Sequence, residues 1–302
     1  MEKIGLVTIT YNSQDVIRGF LRSTLSQTFQ NFIVYIIDNN SKDNTLEILK
    51  EYKDDRINVV HNNKNFGVAK ANNQGIELAL KDKCTQVLII NNDVDFEKEL
   101  LEKMLQIQKE NNCSLVVPKM MYFDNPNYIW YAGSVFVKNK GFLPVHKGIK
   151  QKDIAQFDGV YPVEYAPTCC LLINKEVFKD VGMMDEKYFV YFDDTDFCYR
   201  VLKDGRHTLF FFSDIKFYHK VGALTKSIKK EKNREYRGEF FIKQNIRNHV
   251  YFLRKIGGVY AFAFILFLFF KNNLRFILSP DFRKNFHTWL LINKSYFQGL
   301  RM

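Results

Sequence analysis

A three-layer α/β fold around a mainly parallel sheet is predicted by three features of this 302-residue sequence. Four strand-then-helix units follow one another from the N-terminus with no hairpin signal between them. Each strand pattern stops at a cluster of Asn, Asp or Ser, which places the four polar clusters on one rim of the sheet, where open α/β folds bind ligands. A hydrophobic content of 46%, with 16% aromatic residues, supplies an ample core.

The first strand is the β-branched run Lys3 to Thr10, ending at Tyr11, Asn12 and Ser13. Val16, Ile17, Phe20, Leu21 and Leu25 then repeat at helical spacing. Phe32 to Ile37 is the second strand, closed by Asp38, Asn39, Asn40 and Ser41, with a helix from about Asp43 to Tyr52. A short third strand, Ile57 to Val60, leads through Asn62, Asn63, Asn65 and Gly67 into a helix carrying Ala69, Ala71, Ile76, Leu78 and Leu80. The fourth unit centres on Gln86 to Asp95: an apolar run to Ile90, then Asn91, Asn92 and Asp93, with a helix expected near Phe96. A strand from Ser114 to Val117 should end at Pro118, which cannot donate to a ladder. Aromatics, glycines and short runs from Tyr122 to Val163 suggest hairpins or a covering loop. Tyr165 to Asn174 reads as a strand, Lys175 to Val181 as a short helix ending at Gly182, and Thr208 to Phe212 as a further strand.

Charge is unevenly spread. Met1 to His219 is nearly balanced, at net −2, whereas Lys220 onward carries net +13 of the total +11. The basic part is also rich in apolar and aromatic residues, which points to an anionic membrane surface before nucleic acid. The five cysteines show no CxxC spacing and are odd in number, as expected of reduced thiols in a cytosolic compartment. The N-terminus enters a strand pattern without the apolar segment of a signal peptide.

Several rim residues can carry chemistry. Asp93, beside two amides and with no basic neighbour until Lys98, suits a divalent cation; the same residues also read as a turn and helix cap. Asp38 can accept hydrogen bonds from a ribose hydroxyl or a pyrimidine imide, or cap the next helix. Lys70, one turn into its helix, can meet phosphate charge together with the helix N-terminus. Asp193, Asp194 and Asp196 crowd behind the aromatic run Tyr188 to Phe192 and ahead of Arg200. Like charges in apolar surroundings raise carboxylate pKa values, which suits a general base; the alternative is capping, with Asp196 pairing Arg200. His219, next to small residues, can reach a metal from outside the sheet. The first strand is not followed by GxGxxG, which argues against a nicotinamide cofactor, and no basic glycine-rich loop supports a nucleotidyltransferase.

Six segments occur in an order that resembles inverting family 2 glycosyltransferases: TITYN (Thr8 to Asn12), IDNNSKDNT (Ile37 to Thr45), NKNFGVAKANNQGI (Asn63 to Ile76), IINNDV (Ile89 to Val94), FDDTDFCYR (Phe192 to Arg200) and HKVGALT (His219 to Thr225). The chain is most similar to the branch containing bacterial rhamnosyltransferases, from about Lys3 to Lys255. The resemblance implies a GT-A fold over residues 1–225, with a nucleotide-binding half at 1–118 and an acceptor-binding half at 119–225. It implies that Thr10, Tyr11, Asn12 and Asp38 contact the nucleoside, with Asn65, Lys70, Asn72, Asn91 and Asn92 also on the donor side. Asp93 would bind Mn²⁺ or Mg²⁺ on the diphosphate of a dTDP- or UDP-sugar, His219 would add a ligand, and Asp194 would be the catalytic base. Thr168, Cys169, Asp193 and Arg200 would face the sugars. The sequence departs from the family pattern at Asp193, where Glu is usual, at Asn91, the first position of the DxD motif, and at Thr168 and Asn174, where Gly and Arg are common. A sugar-nucleotide-binding protein without transfer is the rival reading.

Residues 226–302 read as a helical, membrane-associating region. Gly257 to Phe270 is strongly apolar but only about half to two-thirds of a spanning length. Bounded by Arg254, Lys255, Lys271 and Arg275, it reads as part of a helix pair lying on the inner face of the plasma membrane and bringing the site to a lipid-linked saccharide. A core helix, or a homodimer through these helices, is the alternative.

Overall fold

The computed structural model describes residues 1–220, 234–278 and 286–302. Val221 to Thr225 of the HKVGALT segment therefore lie outside the described residues. Strands β1 (Ile4–Thr10), β2 (Phe32–Asp38), β3 (Ile57–His61) and β4 (Gln86–Ile90) pair in parallel, in the order β3-β2-β1-β4. Their shared direction puts Thr10, Asp38, His61 and Ile90 at one rim, as the repeated strand-then-helix pattern requires. Helices α1 (Ile17–Leu25), α2 (Thr45–Lys50) and α3 (Val68–Lys81) form the connections.

Beyond β4 the sheet continues through β11 (Cys170–Asn174), β6 (Leu115–Tyr122), β12 (Leu209–His219) and β10 (Val160–Val163). β11 runs antiparallel to both neighbours and β12 parallel to β6, so the sheet is mixed, with its β3-β2-β1-β4 half wholly parallel. Strands β8 (Ser134–Val137) and β9 (Leu143–His146) make a separate hairpin within the stretch expected to hold hairpins.

Three local expectations are corrected. β6 runs through Pro118 rather than ending there. On one side its partner changes at this point from β11 to β7 (Ile129–Tyr131), and on the other β12 bulges between Phe212 and Phe217, so the missing N–H falls where the ladder is interrupted. That bulge lets β12 continue to His219, well past the expected end at Phe212. Residues Val94–Phe96 form strand β5, not a helix start, because they pair antiparallel with Phe217 to His219; helix α4 begins at Leu100 (Leu100–Glu110). Asp95, within β5, sits 2.9 Å from Lys220 Nζ.

α3 lies directly on β1. A Cβ added at Gly75 would stand 2.3 Å from Val7 Cγ1, inside the closest-packed part of the core. Gly75→Ala is accordingly expected to destabilise the fold by about 1–3 kcal/mol, read as a lower urea midpoint at unchanged slope.

The C-terminal helices are α7 (Arg234–Ile256), α8 (Gly258–Leu278) and α9 (Phe286–Arg301), following α5 (Lys175–Val181) and α6 (Asp193–Asp204). Val250 and Leu253 of α7, Ala261 and Ile265 of α8 and Tyr296 of α9 form one buried cluster. The other face of α7 packs Tyr251 and Phe252 against Tyr188, Phe192 and Tyr199. The first helix of the basic region thus shares a core with the segment around α6, so the packing does not divide at residue 225. The helix that carries the apolar run extends beyond it: α8 has 21 residues and, by length and composition, is long and apolar enough to cross a membrane.

Candidate active site

A cleft of about 350 Å³ opens at the rim of the parallel strands. Tyr11 from the end of β1, Asn39 from the end of β2, Asn65 and Gly67 before α3, Asn72 within it and Asn91 after β4 line one side. Phe189, Tyr191 and Phe240 line the other, giving flat apolar walls around a ring of amides. The turn into α3 is tight: Gly67 has φ +85°, its N–H bonds Asn65 Oδ1 at 2.9 Å, and a Cβ there would meet the Phe189 carbonyl at 2.4 Å. Only glycine fits both the conformation and the contact.

Other donor-side residues face the protein. Asp38 is fully buried; its oxygens accept from Thr10 Oγ1 (2.8 Å), Ser41 N (3.0 Å) and Ser41 Oγ (2.5 Å), and Oδ2 lies 2.9 Å from His61 Nδ1. Four partners fill a carboxylate's acceptor capacity, so a nucleoside would have to displace one of them. Asn12, at φ 53°, accepts from Lys42 N at 2.8 Å and latches the first loop to the second. Lys70 sits 3.2 Å from Glu186, outside the cleft lining. Asn73 exchanges hydrogen bonds with the backbone of Met184 and joins α3 to the segment preceding α6.

After β4, Asn92 donates to the Ile9 carbonyl and Asn91 Nδ2 to Cys169 Sγ at 3.4 Å. Asp93 is 3% exposed and its Oδ1 has no hydrogen-bond donor. His219 Nε2, at the end of β12, stands 3.4 Å from that oxygen, too far for a good hydrogen bond. Burial opposes charging the imidazole, but the adjoining Cys169 and Asp93 side chains outweigh it and lift its pKa to about 10. An orphaned buried carboxylate oxygen facing an imidazole suits a divalent cation, which would displace the imidazole's proton and whose ligand distances of about 2.0–2.2 Å separate neighbouring ligands by roughly this much. Among the described residues no cluster of three or more His, Cys, Asp or Glu side chains surrounds the spot, so further ligands would come from substrate or water.

Asp193 and Asp194 open α6. The two residues before them, Tyr191 (φ 65°) and Phe192 (φ 71°), are in the left-handed region, an uncommon conformation for bulky side chains. Burial, and then the Asp194 charge, push Asp193 up to about 8. Burial raises Asp194 as well, against hydrogen bonds from Tyr165 Oη (2.7 Å) and Thr195 N (2.7 Å). Asp196 binds Arg200 at 2.9 Å, and Arg200 also donates to the carbonyls of Val181 and Met183 at 2.6 Å each; Arg200 is thus a tie within the protein rather than a sugar contact. Thr168 and Cys169 are buried, with Cys169 Sγ 4.0 Å from both ring nitrogens of His219.

A run of touching rings joins Tyr165, the hydrogen-bond partner of Asp194, to the carboxylate–imidazole pair. Tyr165 stacks on His146 (5.6 Å), His146 meets Trp130 (5.9 Å), and Trp130 meets His219 (4.6 Å). This wall was not legible in the sequence, because its members come from β7, β9, the approach to β11 and β12.

The family model for glycosyl transferase family 2 matches residues 6–182. The chain belongs to this family. It is 25% identical over 208 residues to the low-salt glycan biosynthesis hexosyltransferase Agl10 of Haloferax volcanii, covering 68% of this chain and 63% of that protein. It is 28% identical over 228 residues to the dTDP-rhamnosyl transferase RfbF of Shigella flexneri, covering 75% and 71%. The crystal structure of S. aureus TarS 1–349 superposes with a TM-score of 0.58 at 19% identity, over 98% of this chain and 80% of that one, and shares the fold. The family match ends at residue 182, so Asp194, His219 and the C-terminal helices lie beyond it.

Proposed function

We propose that the protein is a metal-dependent inverting glycosyltransferase that moves a hexosyl or rhamnosyl group from a dTDP- or UDP-sugar to a hydroxyl of a lipid-linked saccharide, in the synthesis of a bacterial cell-surface polysaccharide. The observation that carries this reading is the buried, unsatisfied Asp93 oxygen facing His219 at the sheet rim, joined by a wall of aromatic rings to a carboxylate of raised pKa. The amide-lined, aromatic-walled cleft beside it suits a nucleoside.

The residues divide the work. Tyr11, Phe189 and Tyr191 offer flat surfaces to the base, and Asn65 and Asn91 offer amides to the sugar and phosphates. Asp93 and His219 would hold Mn²⁺ or Mg²⁺. A cation bound there supplies charge neutralisation for the departing diphosphate. Asp194, kept from easy ionisation by burial and oriented by Tyr165, takes the proton of the attacking hydroxyl. One displacement at the anomeric carbon inverts it, and no protein nucleophile is required. Screening nucleoside-diphosphate sugars with Mn²⁺ for thermal stabilisation, then for transfer, tests the reading. Stabilisation by one donor followed by transfer supports it; stabilisation with neither transfer nor donor hydrolysis favours a binding protein.

The membrane part of the proposal rests on α8. Its Val259, Phe262, Phe270, Leu274 and Ile277 are exposed, while Asn273 turns inward to Trp289 (2.9 Å) and Asn293 (3.2 Å) of α9. Polar groups inside and apolar groups outside are the arrangement for an apolar surrounding. Phe286, Leu290 and Phe297 of α9 extend the apolar face. Phe262→Asp combined with Phe270→Asp is expected to abolish co-sedimentation with anionic liposomes while leaving transfer to a water-soluble acceptor intact.

A further inference from the structure

In the loop that delivers the base, three successive backbone carbonyls, those of Phe189, Val190 and Tyr191, are held by partners outside the loop. Phe189 O accepts from Val68 N at 2.6 Å, next to the Gly67 turn of the donor side. Val190 O and Tyr191 O each accept from Asn248 Nδ2 of α7, at 2.9 Å. Asn248 is completely buried, and its own Oδ1 is taken by Arg247 Nε at 3.0 Å, which fixes which end of the amide points at the loop. The loop then passes through two left-handed residues, Tyr191 and Phe192, and Asp193 and Asp194 follow at once. Cβ crowding disfavours that conformation, so it persists only where the surroundings impose it.

Successive turns of α7 provide those surroundings. Phe192 lies against His249 (5.4 Å) and Phe252 (5.9 Å), while Lys255 reaches Asp185 (2.7 Å) and Asp196 (2.6 Å) on either side of the loop. Two turns before Asn248, Phe240 meets Phe189 edge-on at 6.3 Å and lines the cleft. One face of α7 therefore runs from the donor cleft to the helix that bears the base.

We propose that α7 is a working part of the active site: Asn248 is a positioning residue that sets Asp194 through the carbonyls of Val190 and Tyr191, and Phe240 is a donor-specificity wall. The proposal rests on Asp194 being the base, and its test includes a readout that does not. In the full chain, Asn248→Asp keeps the side-chain size but turns carboxylate oxygens toward two carbonyls. Its kcat is expected to fall about 10²-fold, the effect of a small misplacement of a catalytic group, with donor KM within about twofold of the parent. Hydrogen exchange of the amides at 189–194 should quicken at least about tenfold, since local opening follows the loss of buried hydrogen bonds. Asn248→Ser, which keeps one donor, should fall between the two, and Phe240→Ala should raise donor KM about tenfold at unchanged kcat, as expected for a lost stacking surface. Unchanged exchange at 189–194 in Asn248→Asp overturns the brace whatever the activity. A parental kcat, or a loss of kcat matched by an equal loss of nucleotide binding, overturns the positioning role. If the parent transfers no sugar from any nucleoside diphosphate, the functional reading fails while the exchange measurement still decides whether α7 holds the loop.

Discussion

Asp194→Asn is expected to lower kcat for transfer by about 10³-fold while leaving nucleotide binding within a few-fold of the parent. The amide preserves the shape and its oxygen can still accept from Tyr165, while its Nδ2 takes the place of the oxygen that accepts from Thr195 N, so the proton acceptor is lost together with one hydrogen bond. In the parent the base must be ionised, and burial raises its pKa above the usual carboxylate range. kcat/KM should therefore rise with pH through an acid limb displaced above about 4, gaining tenfold per pH unit below it. A limb at the ordinary carboxylate value would mean that Asp194 is solvated in the free enzyme. Near-parental transfer by Asp194→Asn would remove it from the base role altogether. Asp193, pushed up to about 8 beside it, would then be the next candidate.

Asp93→Ala is expected to have the other large effect. Removing the buried carboxylate should cost at least about 10²-fold in transfer and abolish the extra thermal stabilisation that Mn²⁺ adds to a nucleoside diphosphate. His219→Ala removes the second protein group and should cost about 10–100-fold in metal affinity, with donor binding recovered at higher Mn²⁺. The two variants should differ for a physical reason: at the proposed cation site Asp93 would supply the charge, whereas the imidazole would share its task with water. If Asp93→Ala keeps a metal-dependent melting shift, the cation sits elsewhere.

The rim was legible because strand ends are a local property. Apolar runs stopping at Tyr11, Asp38, Asn62 and Asn91 announced both the parallel half of the sheet and the cleft beside it, and four residues singled out there, Tyr11, Asn65, Asn72 and Asn91, line it. What failed to show was long-range. Asp38 looks like a free carboxylate until Ser41, Thr10 and His61 are folded around it. Lys70 reads as a cation for a ligand but meets Glu186, far along the chain, whereas the Asp196–Arg200 pair is the local i,i+4 alternative that the spacing offered. Pro118 read as a stop because the bulge that accommodates it lies on another strand. The largest omission was α7: net charge and apolar content mark it as part of an appendage, and only Asn248, Tyr251 and Lys255 in place show that it packs on the loop of the base.

The central claim is a single metal-assisted displacement with Asp194 as base, and the anomeric configuration of the product tests it most directly. A donor selected by thermal stabilisation, incubated with acceptor and Mn²⁺ and followed from the first minutes by proton NMR, should give a product of configuration opposite to the donor, with chelation of the metal halting its formation. A product that retains the donor's configuration would require a second displacement and a nucleophile, and would contradict the account.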